Sequence, residues 1–467
     1  MENTETSADR RGQLLRVLGV GFGLAVIIGN TIGAGIFRSP GAIAQQIPNP
    51  WLFIGVWIIG GLYALLGAIA LAELGTMIPK SGGQYAFSRY ALGEYAGFIV
   101  GWSDWISTCG STAAVSIVIG EFAGVLFSAL RGQFLLGSLA VDKAVVTAAM
   151  VAIVFAILQW RGIVLGSRVQ NATSLLKALA FLILIAAAFI FGGNAAPVAP
   201  AATVAIAAGP LMTAARLLAV MIALQAVIYT YDGWGGVIYF SEEVKNPGRD
   251  VPRALFGGVL LIIGIYLLVN LALLYVLPLS QIAGQDFAAG VAAQAIFGKH
   301  GETILLSLTI ISMLSGINAY HLMATRVLFA MSRDGLFLKG AATVNKGGTP
   351  AVALFVSATI AVLFIVFGKT FEKVITVLAF FFVANYALSF ISVFALRRRE
   401  PEKKRPYRAW GYPWATALAL LGSVAFLVGA VASDLGSGSR DSIYALLLLA
   451  ASYPVFRLIR WLRVDTA

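Results

Sequence analysis

The sequence predicts an all-α polytopic membrane protein with about twelve transmembrane helices in a single domain. Three observations predict it. Of the 467 residues, 59% are hydrophobic and 12% charged, too few polar groups to clothe a soluble fold of this size, because much of any folded surface faces water. The apolar residues gather in runs close to the roughly 20 residues that a helix needs to cross hydrocarbon. The net charge of +12 is divided unevenly among the segments that join those runs.

In chain order the runs lie near Val17–Ala44, Trp51–Met77, Glu94–Phe127, Ala144–Trp160, Val169–Phe191, Leu217–Glu242, Ala254–Leu277, Thr303–Met331, Ala351–Phe367, Phe371–Leu396, Trp414–Ala432 and Ile443–Leu462. They are called span 1 to span 12. Residues 1–16 form a polar N-terminal arm without a signal-peptide pattern, so span 1 directs insertion. Asn194–Gly209 reads as a short external loop, and Pro278–Lys299 as an external segment carrying short helices.

With the N-terminus in the cytoplasm, 24 of the 33 Lys and Arg fall in cytoplasmic segments, most densely between Arg397 and Arg408. Eight fall on the external side, and Lys177 stands alone inside span 5. This is the positive-inside asymmetry of a multi-pass cell-membrane protein with both termini cytoplasmic. The basic excess therefore reports orientation and partnership with the lipid bilayer. No basic stripe is interleaved with stacking aromatics, which argues against nucleic acid as a partner. Cys109 is the one cysteine, so an intrachain disulfide and a Cys-rich metal site are excluded, and neither metal nor cofactor is expected.

Two spans are interrupted near their middles. Span 1 contains Gly29-Asn30-Thr31-Ile32-Gly33-Ala34-Gly35-Ile36-Phe37, and span 6 contains Tyr229-Thr230-Tyr231-Asp232-Gly233-Trp234-Gly235-Gly236. They lie about 200 residues apart and run in opposite directions, the arrangement that marks a transporter binding site. Glycines can also serve close helix packing, but here polar Asn30, Thr31 and Asp232 accompany them. An unwound stretch leaves N–H and C=O groups unpaired in hydrocarbon, at several kcal/mol each. A zwitterion satisfies both kinds. The N–H groups that open the second half-helix suit a carboxylate, and the carbonyls that close the first suit an ammonium.

Lys177 lies about ten residues into span 5, about 15 Å deep at 1.5 Å per residue, too deep for easy snorkelling. A charge at that depth is costly and usually functional. Its expected role is a fixed cation or a proton carrier. Asp232 is expected to cap the broken helix, the alternative being a carboxylate that selects cationic substrates. Asp104 and Glu121 of span 3 read as gate ion-pair or vestibule residues, and Trp234, Phe381, Phe382 and His321 as packing. An intramembrane protease built on Asp104 and Asp232, or on Ser103, finds little support in a chain with two histidines. A channel lacks a charge ring or a carbonyl filter motif.

At these residues the chain resembles the amino acid–polyamine–organocation superfamily, most nearly its L-type amino acid transporter branch. The resemblance rests on Gly33-Ala34-Gly35-Ile36-Phe37, Ala72-Glu73-Leu74, Pro79-Lys80-Ser81-Gly82-Gly83-Gln84-Tyr85, Tyr231-Asp232-Gly233-Trp234 and Glu242-Glu243-Val244-Lys245-Asn246-Pro247-Gly248-Arg249-Asp250-Val251-Pro252-Arg253-Ala254, in that order. It implies a five-plus-five inverted-repeat (LeuT-like) fold with spans 1 and 6 unwound at mid-membrane. The repeats would be 17–191 and 217–396, followed by the basic loop 397–413 and two additional helices in 414–462. It implies alternating access, with the substrate carboxylate on the N–H groups of Gly33, Ala34 and Gly35. The ammonium would bind the carbonyls of Thr31, Tyr229 and Asp232. Gly233 and Gly235 complete the expected substrate site, Tyr229 and Trp234 act as gates, and Lys177 is the coupling group where sodium-dependent relatives hold an ion. Gly235 and Gly236 stand where the L-type branch often has larger residues. The cysteine that links some members to a heavy chain, between spans 3 and 4, is absent, so no disulfide-linked heavy-chain partner is expected. The expected function is secondary active, sodium-independent transport of a small-molecule amino acid, first neutral L-amino acids. The alternatives are cationic amino acid or polyamine antiport and proton-coupled symport.

Overall fold

The computed structural model describes residues 14–136, 139–194, 214–368, 371–437 and 441–464. Their helices are α1 (Val20–Thr31), α2 (Ala34–Gln46), α3 (Pro50–Met77), α4 (Gln84–Leu92), α5 (Glu94–Leu126), α6 (Lys143–Trp160), α7 (Ile163–Phe191), α8 (Ala214–Tyr231), α9 (Pro247–Val276), α10 (Leu279–Ile282), α11 (Ala288–Phe297), α12 (Gly301–Arg333), α13 (Ala351–Gly368), α14 (Phe371–Arg399), α15 (Trp414–Ser437) and α16 (Asp441–Val464). Ten are long and apolar enough to cross a membrane singly, and α1 with α2, bent 46° at the break, makes an eleventh. The twelfth expected span is α8. It stops at Tyr231, and the chain goes on through a turn into the 3-10 segment Gly236–Phe240.

Local chemistry sets several boundaries. The Asn49 side chain accepts the Leu52 N–H at 3.0 Å, with Pro50 at the first helical position, where its missing N–H costs nothing. Asp142 accepts the Ala144 N–H at 2.8 Å and opens α6. The expected short helices of 278–299 are α10 and α11. One small departure from an all-helical chain is an antiparallel hairpin, Gln133–Leu136 with Leu139–Asp142, between α5 and α6.

The core follows solvent logic for a membrane. α5 is the most enclosed long helix, packed by α4, α6, α12, α13, α14 and α16. α16 and α6 bury the least of themselves and present Leu, Ile and aromatic side chains outward. That outward apolar surface is what hydrocarbon tolerates and water does not.

One end of the bundle gathers the basic loops. Leu18 hydrogen-bonds the backbone of Glu243 and Lys245 at 3.0 and 2.9 Å. Arg333 forms a bidentate pair with Glu242 at 2.7 and 2.9 Å, and Arg89 meets Asp334 at 3.0 Å. Buried Glu73 of α3 receives Arg397 at 2.8 and 2.6 Å, Arg405 at 3.0 Å and the Ala409 N–H at 2.6 Å. Glu94, at the start of α5, lies 3.8 Å from Arg460 near the end of α16. This is called the basic end.

Candidate functional site

The break in span 1 can be followed group by group. α1 ends at Thr31, and Ile32 and Gly33 are extended, with φ/ψ of −77°/96° and −135°/−151°. The last carbonyls of a helix have no partner inside it. Here each is met by a side chain from elsewhere. Lys177 Nζ donates to Gly29 O at 2.9 Å and to Ile32 O at 2.5 Å. Tyr320 Oη reaches Asn30 O at 3.4 Å, and Tyr266 Oη reaches Thr31 O at 2.7 Å. Ser312 Oγ adds a 3.4 Å contact to Ile32 O. One turn earlier, Gln170 and Ser174 of α7 both donate to Ala25 O. α7 thus supplies a polar stripe, Gln170, Ser174 and Lys177, along α1.

The other side of the break is left open. Gly33 is the N-cap of α2 and offers no side-chain cap, and the first N–H groups of a helix have no partner inside it. A Cβ built on Gly33 meets nothing within 4 Å, whereas one on Gly35 comes within 3.2 Å of the Thr230 side chain. α2 therefore lies against α8 while its N-cap, Gly33, faces open space.

That space is a small cavity lined by residues of both breaks: Asn30, Thr31, Gly33 and Gly35 from span 1, and Tyr229, Thr230 and Asp232 from span 6. Ser111 and Val115 of α5, Tyr320 of α12 and Phe382 of α14 close it. The two breaks are also tied directly. Asn30 Nδ2 donates to Gly233 O at 3.2 Å. Tyr266 Oη, bonded to Thr31 O, lies 3.0 Å from Thr230 O. Asn30 Oδ1 and Thr31 Oγ1 are buried without a hydrogen-bond partner, two acceptors beside the cavity. A second small cavity continues toward the basic end, lined by Gln84, Thr108, Gly233, Gly235, Gly236, Tyr239 and Tyr386 among others.

The expected residues fall as follows. Thr31, Gly33, Gly35, Tyr229 and Asp232 line the first cavity, and Gly233 and Gly235 the second. Ala34 supplies the first residue of α2. Two carbonyls expected to hold an ammonium already have one internal partner each: Thr31 O takes Tyr266 Oη, and Tyr229 O takes the Asp232 N–H at 3.1 Å. The Asp232 carboxylate accepts Tyr386 Oη at 2.8 Å. Trp234, expected as a gate, is 1% exposed and stacks on Tyr386 at 4.8 Å. Phe382, read as packing, lines the cavity. Asp104 is buried and accepts Tyr239 Oη at 2.9 Å. His321 is packed, its Nε2 3.1 Å from Ala152 O. Glu121 and Arg38, 3.9 Å apart and part-exposed, lie on the side away from the basic end. Toward the basic end, Gln84, Tyr239 and the fully buried Arg326–Glu243 pair leave the route shut.

Sequence reasoning missed Tyr266, Ser111, Tyr320 and Tyr386. A signal existed for Ser111. Ser103, Ser107 and Ser111 recur every four residues of span 3, one helix face, with Thr108 and Thr112 beside it. Tyr266 sits among Leu, Ile and Val, and only the fold reveals what its hydroxyl meets.

Comparison with known proteins decides the family. The amino acid permease family model matches residues 23–452. The chain belongs to that family. The permease is 30% identical, over 449 residues, to the serine/threonine exchanger SteT of Bacillus subtilis (strain 168), covering 95% of this chain and 96% of that one. It is 28% identical to the branched-chain amino acid permease BcaP of the same organism, covering 87% and 86%. It is 26% identical to the mouse Asc-type amino acid transporter 1, covering 86% and 74%. Family and relatives are transporters, which removes the protease alternative. Cys109, the permease's one cysteine, is buried within α5.

Proposed function

We propose that this permease is a secondary active, sodium-independent carrier of neutral L-amino acids. It works by alternating access within a five-plus-five inverted repeat, in the cell membrane with both termini cytoplasmic. The observation that carries the reading is the cavity in which both interrupted spans meet, with the uncapped first turn of α2 on one wall. The positive end of α2 offers several N–H groups to a carboxylate. Ser111, Thr31 and Asn30 stand near for the ammonium.

Lys177 supports sodium independence. Its Nζ already occupies two carbonyls at the break, the place where sodium-dependent members of the superfamily would hold an ion. Names of the relatives support amino acids as cargo, serine and threonine for one and branched-chain for another. Asp232 favours neutral cargo less than a non-ionic residue would, but its Oδ1 is engaged by Tyr386.

The test is uptake by purified protein in proteoliposomes. A panel of radiolabelled serine, threonine, alanine, leucine, lysine and putrescine is offered with and without internal amino acid, with sodium replaced by choline, and with an imposed pH gradient. The proposal expects saturable uptake of neutral amino acids, stimulated by internal substrate and indifferent to sodium. Preference for lysine or putrescine would select the cationic alternative, and uptake driven by the pH gradient the proton-coupled one.

A further inference from the structure

We propose that the start of α9, loop 397–413 and the start of α15 together form a headgroup site for an anionic phospholipid in the leaflet at the basic end. The loop carries seven Lys and Arg against two carboxylates, Glu400 and Glu402. Internal partners take part of that charge: Arg397 and Arg405 bond Glu73, and Lys403 lies 3.0 Å from Glu400. Those bonds fix the loop's course. Glu73 grips both Arg405 and the Ala409 N–H, so the chain between them is tied at both ends to α3. Lys404 and Arg408 project outward from this clamped stretch, exposed.

The clamped loop lies against α9. Tyr407 packs on Phe256 with ring centroids 5.6 Å apart, and Pro406 lies over Gly248, 3.1 Å from a Cβ built there. Arg253, exposed, is one turn before Phe256, so Arg253 and Arg408 flank the same contact. Arg253 and Lys404 have no acidic partner among the described residues. Nearby Asp250 is taken by Arg249 at 2.9 Å.

Depth points to lipid. On α15, Trp414, Leu418, Leu421 and Val428 are 77, 55, 64 and 61% exposed, one helical stripe facing outward. On α9, Arg253 shares a face with Leu260, seven residues on and 56% exposed. Arg253 and Trp414 therefore each begin a hydrocarbon-facing stripe at the level where Trp and basic residues meet headgroups. Trp410, 79% exposed, lies four residues before Trp414. Guanidinium groups at that level match phosphate oxygens by charge and by paired N–H donors.

The test uses the full-length protein in detergent, its melting temperature followed with added dioleoyl phosphatidylglycerol, dioleoyl phosphatidylcholine or inorganic phosphate. Wild type is compared with Arg253→Gln/Arg408→Gln and with a charge-matched control, Lys339→Gln/Lys346→Gln. Phosphatidylglycerol is expected to raise the wild-type and control melting temperatures, phosphatidylcholine and phosphate to leave them, and the arginine variant to lose half or more of the rise. Equal response to both lipids, an undiminished rise in the arginine variant, or the same rise with phosphate alone overturns the proposal. Should the arginine variant misfold, brominated phosphatidylglycerol must quench wild-type fluorescence more than brominated phosphatidylcholine, and Trp410→Phe/Trp414→Phe must abolish the difference. Equal quenching by the two lipids contradicts the site.

Discussion

Lys177 is fully buried and donates to two carbonyls of span 1. Its removal takes the donor from Gly29 O and leaves Ile32 O with the 3.4 Å Ser312 contact, an unpaired buried acceptor costing about 1–3 kcal/mol. Lys177→Ala is therefore expected to slow exchange on the order of tenfold or more at every pH. If the lysine instead carries a proton, wild-type uptake follows an imposed pH gradient and the variant loses that dependence. Wild-type rates together with a wild-type pH response in the variant contradict both roles. The glycines separate folding from binding. Gly33→Ala projects a methyl into empty space, so it should leave the melting temperature unchanged while raising the KM for substrate. Gly35→Val presses on Thr230, so it should lower the melting temperature as well as uptake. Equal effects of the two on stability would contradict this geometry. At this scale, Lys177, Gly33 and Asp232 were legible in the sequence because each breaks a local rule, a charge or a run of glycines in hydrocarbon. Tyr266 and Tyr386 break no rule. Tyrosines are common in apolar helices, and only tertiary contact gives their hydroxyls a role.

Among the elements, the interruption of spans 1 and 6 matters most, and Tyr266 of α9 sets its hydroxyl between them, 2.7 Å from Thr31 O and 3.0 Å from Thr230 O. Tyr266→Phe removes a hydroxyl whose net contribution is about 1 kcal/mol per hydrogen bond. The expected outcome is a lower melting temperature and slower exchange with little change in KM, measured in the same proteoliposomes. An unchanged exchange rate would mean that the two breaks move independently of this tie. Apolar runs made the uninterrupted helices legible, and α10 and α11 followed from a moderately apolar external segment. The end of α8 at Tyr231 falls inside the interruption read at Tyr229–Gly236, whereas the short α4 and the hairpin after α5 did not follow. Each depends on what the backbone meets rather than on its own composition: before α4, for instance, Gly82 turns at φ +99° and donates its N–H to Tyr239 O at 3.3 Å.

For the molecule as a whole, two properties are open to direct measurement, which way it sits and what the central cavity does. Orientation is read with single cysteines in a Cys109→Ser background. Gln133 in the hairpin and Glu402 in the basic loop are both exposed and lie on opposite ends of the bundle. An impermeant thiol reagent added to intact cells should label Gln133→Cys and spare Glu402→Cys, and the reverse pattern would invert the topology. The shut route at the basic end, with Arg38 and Glu121 part-exposed at the other, is one of the two states that alternating access requires. The most direct measurement of the central claim is counterflow. Proteoliposomes loaded with unlabelled neutral amino acid are given a trace of labelled serine or leucine, with wild type and Gly33→Val compared in parallel. Accelerated, saturable accumulation by wild type, and its loss in correctly inserted Gly33→Val, is the predicted result. Undiminished accumulation by that variant would contradict a site at the meeting of the two breaks.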